Sequence, residues 1–260
     1  MMTVVPQGQY ARKQLGSRAR VVAWSHRARF GRALQLAGEA PGEKLLDYGC
    51  GDGTFLGLVS ERFRECWGAD IRLDYLEDCR TRFQGVANVH FCSVSDLAGA
   101  EHNHAYAVVT CMETLEHCTE PVIDTVLEDL KQLCSPGGRI IISVPVEIGP
   151  TFLFKYAIRK VLAWRGLREY RGYESYSLAN ALRMVFSTEK TAIPRPVTGP
   201  PGFEKHSHYG FNWRRLRRRV AQSLLIERVE FSPLGFLGGW VSSQVWFICR
   251  PPQANGKLSS

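Results

Sequence analysis

The sequence predicts an α/β fold: a seven-stranded, mostly parallel sheet with a terminal antiparallel hairpin, helices on both faces and an N-terminal helical lid. Three observations carry this. The stretch 45–53, Leu-Leu-Asp-Tyr-Gly-Cys-Gly-Asp-Gly, joins a short apolar run to glycines at alternate positions. A buried parallel strand enters a tight, ligand-approaching loop in this way. Strand-like runs at 44–48, 65–69, 88–92, 105–111 and 139–144 alternate with helical spacing at 54–64, 73–84 and about 120–133, as a parallel sheet with helical crossovers requires. Two consecutive strand-like runs, 224–231 and 241–250, then flank a Gly-rich loop at 232–240, which reads as an antiparallel hairpin on the sheet edge. Together these describe a Rossmann-like sheet.

Taken in order, residues 1–38 form the expected lid. A helical pattern runs from about Arg12 to Ala37, with a break expected near Gly31, and places Val21, Val22, Trp24, Ala28, Leu34 and Leu36 among many arginines. His26, Arg29 and Phe30 share a face by their i, i+3, i+4 spacing. Residues 39–147 are the core, 148–202 a helical and loop insertion, 203–250 a last helix and the hairpin, and 251–260 a polar tail expected to be disordered. At 260 residues this is one large domain. No run approaches the length of a membrane span, and the first residues lack a signal-peptide pattern. Eight cysteines without a Cys-x-x-Cys pair read as reduced core residues of a cytoplasmic protein.

The glycine loop points to a nucleoside. Nineteen residues after Gly51, Asp70 closes the second strand-like run, where an acid takes ribose hydroxyls. A dinucleotide loop wants Gly-x-Gly-x-x-Gly with a helix N-terminus aimed at a pyrophosphate. Here the spacing is Gly-x-Gly-x-Gly and Asp47 precedes it. A carboxylate there repels a diphosphate and pairs with an ammonium group, so the expected cofactor is S-adenosyl-L-methionine (SAM). Its contacts are assigned to Asp47, Gly49, Cys50, Gly51, Asp70 and Ile71. Asp96 and Leu97 follow the third strand, where Asp96 either accepts from the adenine amino group or caps the next turn. Cys111 and Met112 end the fourth strand, with Met112 packing on the cofactor. Arg29 is read either as a partner of the SAM carboxylate or as a solvated arginine.

Ligands bind beyond the carboxyl ends of such strands, which draws attention to Met112-Glu-Thr-Leu-Glu-His117. If 113–117 is one helical turn, Glu113 faces both Glu116 and His117. Such a set holds a hard divalent ion, supplies a general base, or is a helix-starting turn with a structural histidine. His206 and His208 are further candidates for a base or an added ligand. The insertion interleaves Phe152, Leu153, Phe154, Tyr156, Ile158, Val161, Leu162 and Trp164 with Lys155, Arg159, Lys160 and Arg165. This basic amphipathic helix suits a substrate lid, a peripheral membrane contact over 148–172, a dimer contact or a core cover. Tyr170, Tyr173 and Tyr176 follow, and the Pro-rich stretch 194–202 reads as a loop. The net charge of +8 and the arginines at 214, 215 and 217–219 leave nucleic acid open.

With these pieces in order, the chain resembles the class I SAM-dependent methyltransferases over about residues 20–250. The stretch Val-Val-Thr-Cys-Met-Glu-Thr-Leu-Glu-His at 108–117 resembles the O-methyltransferases of ubiquinone biosynthesis and their small-molecule relatives. The resemblance implies that Gly49 lies against SAM, Asp70 takes the ribose, Met112 contacts the adenosyl side and Arg29 belongs to the cofactor site. It likens Glu113, Glu116 and His117 to the divalent-metal triad of the quinone enzymes and of small-RNA 2′-O-methyltransferases, and Mg²⁺ is the candidate ion for this set. From residue 145 onward the chain departs from the quinone enzymes, which meet the membrane in this segment, so their acceptor is not carried over. The expected activity is methyl transfer to a hydroxyl of a small apolar or lipid-like molecule, with His117, Glu113 or Glu116 as the catalytic groups. The alternatives are RNA 2′-O-methylation, ranked second because stacking platforms are not evident, and an inactive SAM-binding partner subunit.

Overall fold

A computed structural model describes residues 20–38, 43–164, 176–200 and 204–252, together with Gly8 and Arg12. Seven strands form one sheet: β1 Lys44–Tyr48, β2 Glu65–Asp70, β3 Val89–Ser93, β4 Tyr106–Met112, β5 Cys134–Pro145, β8 Leu225–Ser232 and β9 Gln244–Arg250. Their order is β3-β2-β1-β4-β5-β9-β8. The first five pair in parallel, β9 runs antiparallel to β5, and β8 runs antiparallel to β9. The expected sheet and its terminal hairpin are both present.

Alternation along each strand divides the core into two layers, because successive side chains leave opposite faces. Leu46, Val109, Ile140, Ile142 and Phe247 pack on one side with Ile123, Leu127 and Leu130 of α4 (Glu120–Leu133) and with Leu216 and Val220 of α7 (Trp213–Ser223). Leu45, Val108, Ile141, Trp246 and Ile248 pack on the other. There they meet Phe30, Ala33 and Leu36 of α1 (Arg20–Gly38), Phe55 and Leu56 of α2 (Thr54–Val59), and Leu76 and Cys79 of α3 (Leu73–Arg82).

Several boundaries differ from the sequence reading, each for a local reason. α1 runs unbroken through Gly31, whose Cβ position is open. A helical glycine costs about 1 kcal/mol, and the buried Phe30, Ala33, Leu36 and Ala37 outweigh it. The helix expected to reach 64 ends at Val59 and continues as a 3-10 turn at 60–62. The Asn88 side-chain amide donates to the carbonyls of Ser60 and Phe63 at 2.9 and 3.1 Å. β5 starts at Cys134 rather than 139, because Cys134 already pairs with Tyr106 before the register shifts to Val108 and Arg139.

In the insertion, α5 covers Pro150–Trp164. The sequence reading missed α6, Leu178–Val185, whose N-cap Ser177 accepts from the Asn180 amide. It also missed a two-stranded ribbon, β6 Val197–Thr198 with β7 Lys205–His206, whose first strand lies inside the 194–202 stretch taken as a loop. Tyr170, Tyr173, Arg165, most of 12–19 and residues 253–260 lie outside the described residues. All eight cysteines are free, and only Cys118 is not fully buried. No described helix is long and apolar enough to cross a membrane.

Candidate functional site

The three glycines take positive φ at 49, 51 and 53, the region that disfavours a side chain. Gly49 and Cys50 donate their amides to the Ala69 carbonyl at 2.7 and 3.0 Å, tying the loop to β2. Asp70 fastens the other side: one oxygen accepts from the Gly51 amide and the other from the Arg72 amide, both at 2.9 Å. A carboxylate has about four lone-pair sites, so acceptor capacity remains for a ribose. A Cβ on Gly49 would lie 2.4 Å from Thr114 Oγ1, whereas one on Gly51 would meet nothing within 4 Å. The loop therefore leans on the 112–114 segment and leaves an open cradle at Gly51. Beside it Ile71 is 61% exposed.

Other expected cofactor contacts sit deeper. Asp47 is 3% exposed and accepts from Thr110 Oγ1 at 2.7 Å, between β1 and β4. Burial pushes its carboxyl up to about 7; Asp70 adds to the rise and the Thr110 hydrogen bond opposes it. The Cys111 and Leu97 side chains belong to the core, and the Cys50 side chain is buried in the opposite layer. Asp96 accepts from the Ser93 amide at 2.9 Å and closes a capping box, so the capping role is realised. Met112 is half-buried against the α1-side layer.

At the end of β4 the chain does not form one helical turn. Glu113 takes φ 53, a region costly for a residue with a side chain, and its amide donates to the Ser143 carbonyl at 3.0 Å. Only residues 115–117 form a 3-10 turn. Glu113 meets α1, where Arg29 Nη1 lies 3.0 Å from Glu113 Oε2, while its charge still acts on Glu116. Arg29 is buried, and its guanidinium also stacks near the Phe30 ring. It reaches the site instead of water.

Donor atoms of Glu116, His117 and His208 lie within 4.8 Å of one another. His208 takes the place that the sequence reading gave to Glu113. Glu116 is fully buried, and neither of its oxygens has a hydrogen-bond partner; Glu113 Oε1 and His208 Nδ1 are in the same condition. Burial first, then the Glu113 charge, pushes the Glu116 carboxyl well above its usual range. His117 Nδ1 bonds the His206 carbonyl at 3.0 Å, which aims Nε2 toward Glu116 Oε1, 3.8 Å away. His206 thus enters through its backbone, its own Nδ1 facing the Pro196 carbonyl. Burial holds His208 below the usual histidine value, against the pull of Glu147 and Glu113. His26 is lowered to about 4 by burial and by the charges of Arg29 and Lys155.

Glu147, missed in the sequence, is 1% exposed at the end of β5. It accepts from Lys155 of α5 at 3.0 Å and lies 3.8 Å from His208 Nδ1. An acid just past a strand's carboxyl end was the available signal. Next to His208 runs an aromatic wall: Tyr209 stacks on Tyr176 at 4.5 Å, and Tyr176 meets Phe152 edge-on at 4.8 Å.

A family model described as a methyltransferase domain matches residues 23–186. The ubiquinone biosynthesis O-methyltransferase of Citrobacter koseri is 29% identical over 140 residues, covering 51% of this chain and 57% of that protein. That of Cronobacter sakazakii is 33% identical over 117 residues, covering 44% and 47%. The chain thus spans about half the length of the curated relatives it matches. Among solved structures, the N-methyltransferase NodS from Bradyrhizobium japonicum with S-adenosyl-L-homocysteine superposes with a TM-score of 0.54 at 9% identity, covering 94% of this chain and 98% of that one. The family match takes in more than half of the residues, including the glycine loop, Asp70 and the 113–117 segment. The chain belongs to the methyltransferase-domain family and has the fold of the class I SAM-dependent methyltransferases.

Proposed function

We propose that the chain transfers the methyl group of SAM to an oxygen of a small apolar acceptor. The carrying observation is a set of buried polar atoms without a hydrogen-bond partner beside the glycine loop: Glu113 Oε1 and both Glu116 oxygens after β4, with His208 Nδ1 from the late segment. The sulfonium is an activated donor, so the protein has to align the acceptor and remove its proton. Gly49, Gly51, Asp70 and the exposed Ile71 supply the cofactor cradle. Arg29 holds Glu113 at the edge of the cofactor site. Asp47 faces the cofactor's ammonium from below the loop. The free oxygen of Glu113 accepts the hydroxyl proton.

Glu116, His117 and His208 fit a divalent cation such as Mg²⁺. A fully buried carboxylate with no partner is costly without a cation, and a ligating histidine commonly donates its second nitrogen to a carbonyl, as His117 does to His206. Such an ion supplies Lewis acidity that lowers the pKa of an acceptor hydroxyl. The test is methyl transfer to a panel of phenolic and lipid alcohols by the wild type, Glu113→Gln and Glu116→Gln. Loss of turnover by about a hundredfold or more, with SAM affinity kept within a few fold, is expected. Equal loss of affinity and turnover would overturn the assignment.

The aromatic wall of Phe152, Tyr176 and Tyr209 favours an apolar acceptor. So does the outer side of the insertion, where Leu153, Phe154, Val161 and Trp164 of α5 and Leu178, Leu182 and Phe186 on and after α6 are exposed. Exposed apolar stripes of this extent suit contact with a membrane surface. The RNA reading is less favoured because three of the five α7 arginines are used internally: Arg215 and Arg219 face Glu120, Arg219 also pairs with Asp124, and Arg214 donates to the Ser187 carbonyl.

A further inference from the structure

Arg215, Arg218, Arg219 and Gln222 recur at i, i+3, i+4 and i+7 of α7 and so share one face. That face lines a cleft of about 520 Å³, together with the start of α4 and the 189–195 segment. The volume lies in the range of small-molecule sites. None of its lining residues belongs to the glycine loop or to the Glu116, His117 and His208 cluster. Its deep side is apolar, formed by the buried Ile123, Ile193, Phe211 and Leu216. Its rim is charged. Arg215 and Arg219 face Glu120, at 3.9 and 2.7 Å. Lys190 and Arg218 make no side-chain ion pair among the described residues, so the rim carries positive charge that Glu120 and Glu189 do not cancel.

We propose that this cleft binds a small amphipathic anion, with its apolar body on the floor and a phosphate or carboxylate head at the Lys190–Arg218 rim. Charge complementarity selects the head group, since an arginine fork suits these oxygens. The apolar floor selects the body, because a bare inorganic anion would leave it wet. A nucleic-acid backbone fits less well, because Glu120 and Glu189 interrupt the positive track. Arg195, in the cleft wall, donates to the carbonyls of Glu116, Ser207 and Tyr209. The cleft thus abuts the loops that carry Glu116, His117 and His208.

The experiment is calorimetric titration of octyl phosphate, below its micelle concentration, into the full chain without SAM, with inorganic phosphate and octanol as controls. Saturable one-to-one binding is expected, roughly tenfold tighter than either control. The Lys190→Gln, Arg218→Gln double variant should weaken it roughly tenfold with an unchanged Tm, since neither side chain makes a structural ion pair. No saturable binding, equal binding of inorganic phosphate, or equal binding by the double variant would overturn the proposal. An RNA oligonucleotide that binds the wild type, loses affinity in the double variant and is not displaced by octyl phosphate would overturn it in favour of a nucleic-acid surface. The readout involves no methyl transfer, so it stands apart from failure of the proposed enzymatic function.

Discussion

Asp47 and Gly51 show how single residues divide stability from ligand binding. Asp47 is raised from 3.8 to about 7 by burial, so the folded chain holds a proton there that the unfolded chain releases. Its contribution is full below about pH 4 and is lost as pH rises toward 7. His26, lowered to about 4, acts in the opposite sense, so the difference between variants is the useful quantity. The Tm of Asp47→Asn minus that of the wild type should rise between pH 4 and pH 7 and then level off. A flat difference across thermal melts would contradict the assignment. The two glycines make a matched pair. Gly49→Ala brings a methyl against Thr114 at a positive φ and should cost roughly 1–3 kcal/mol of stability. Gly51→Ala meets no protein atom, so the backbone cost is about 1–2 kcal/mol while the methyl fills the cradle. SAM affinity should therefore fall by roughly tenfold or more, seen by titration as a loss far beyond the change in Tm.

At the level of elements, what the sequence made legible was local. The β1 strand, its glycine loop and Asp70 are joined by short-range periodicity and turn chemistry, and they appear where expected. The 113–117 segment shows the limit. Helical spacing put Glu113 with Glu116 and His117, but Glu113 adopts a left-handed backbone, hydrogen-bonds to Ser143 and pairs with Arg29. His208 reaches His117 from ninety-one residues along the chain, their rings 5.0 Å apart, and no spacing rule encodes that return. Glu147 was overlooked because its role depends on Lys155 folding back from α5. The short β6–β7 ribbon gives too few residues for an alternation signal. α5 and α6 carry their own prediction. Replacing Trp164, Leu178 and Phe186 by serine removes mainly exposed apolar surface, so the Tm should move little. Sedimentation with anionic lipid vesicles should be lost, and retention of the triple variant on vesicles would contradict a membrane role for this face.

For the whole molecule, one sheet gathers contributions from distant parts of the chain at its carboxyl edge. α1 brings Arg29 and His26, the first βα unit brings the glycine loop, β4 and β5 bring Glu113, Glu116 and Glu147, and the late segment returns His208. A ligand that binds this edge only in the folded state must stabilise the entire fold, by about 2.7 kcal/mol at a hundredfold excess over Kd. SAM should raise the Tm accordingly, and Gly51→Ala should abolish most of that shift. The measurement that bears most directly on the central claim is calorimetric titration of SAM, with and without Mg²⁺, into wild type and Glu116→Gln. One SAM per chain with a roughly micromolar Kd in both proteins, and Mg²⁺ binding in the wild type alone, is the predicted result. Absence of SAM binding to the wild type under either condition would contradict it.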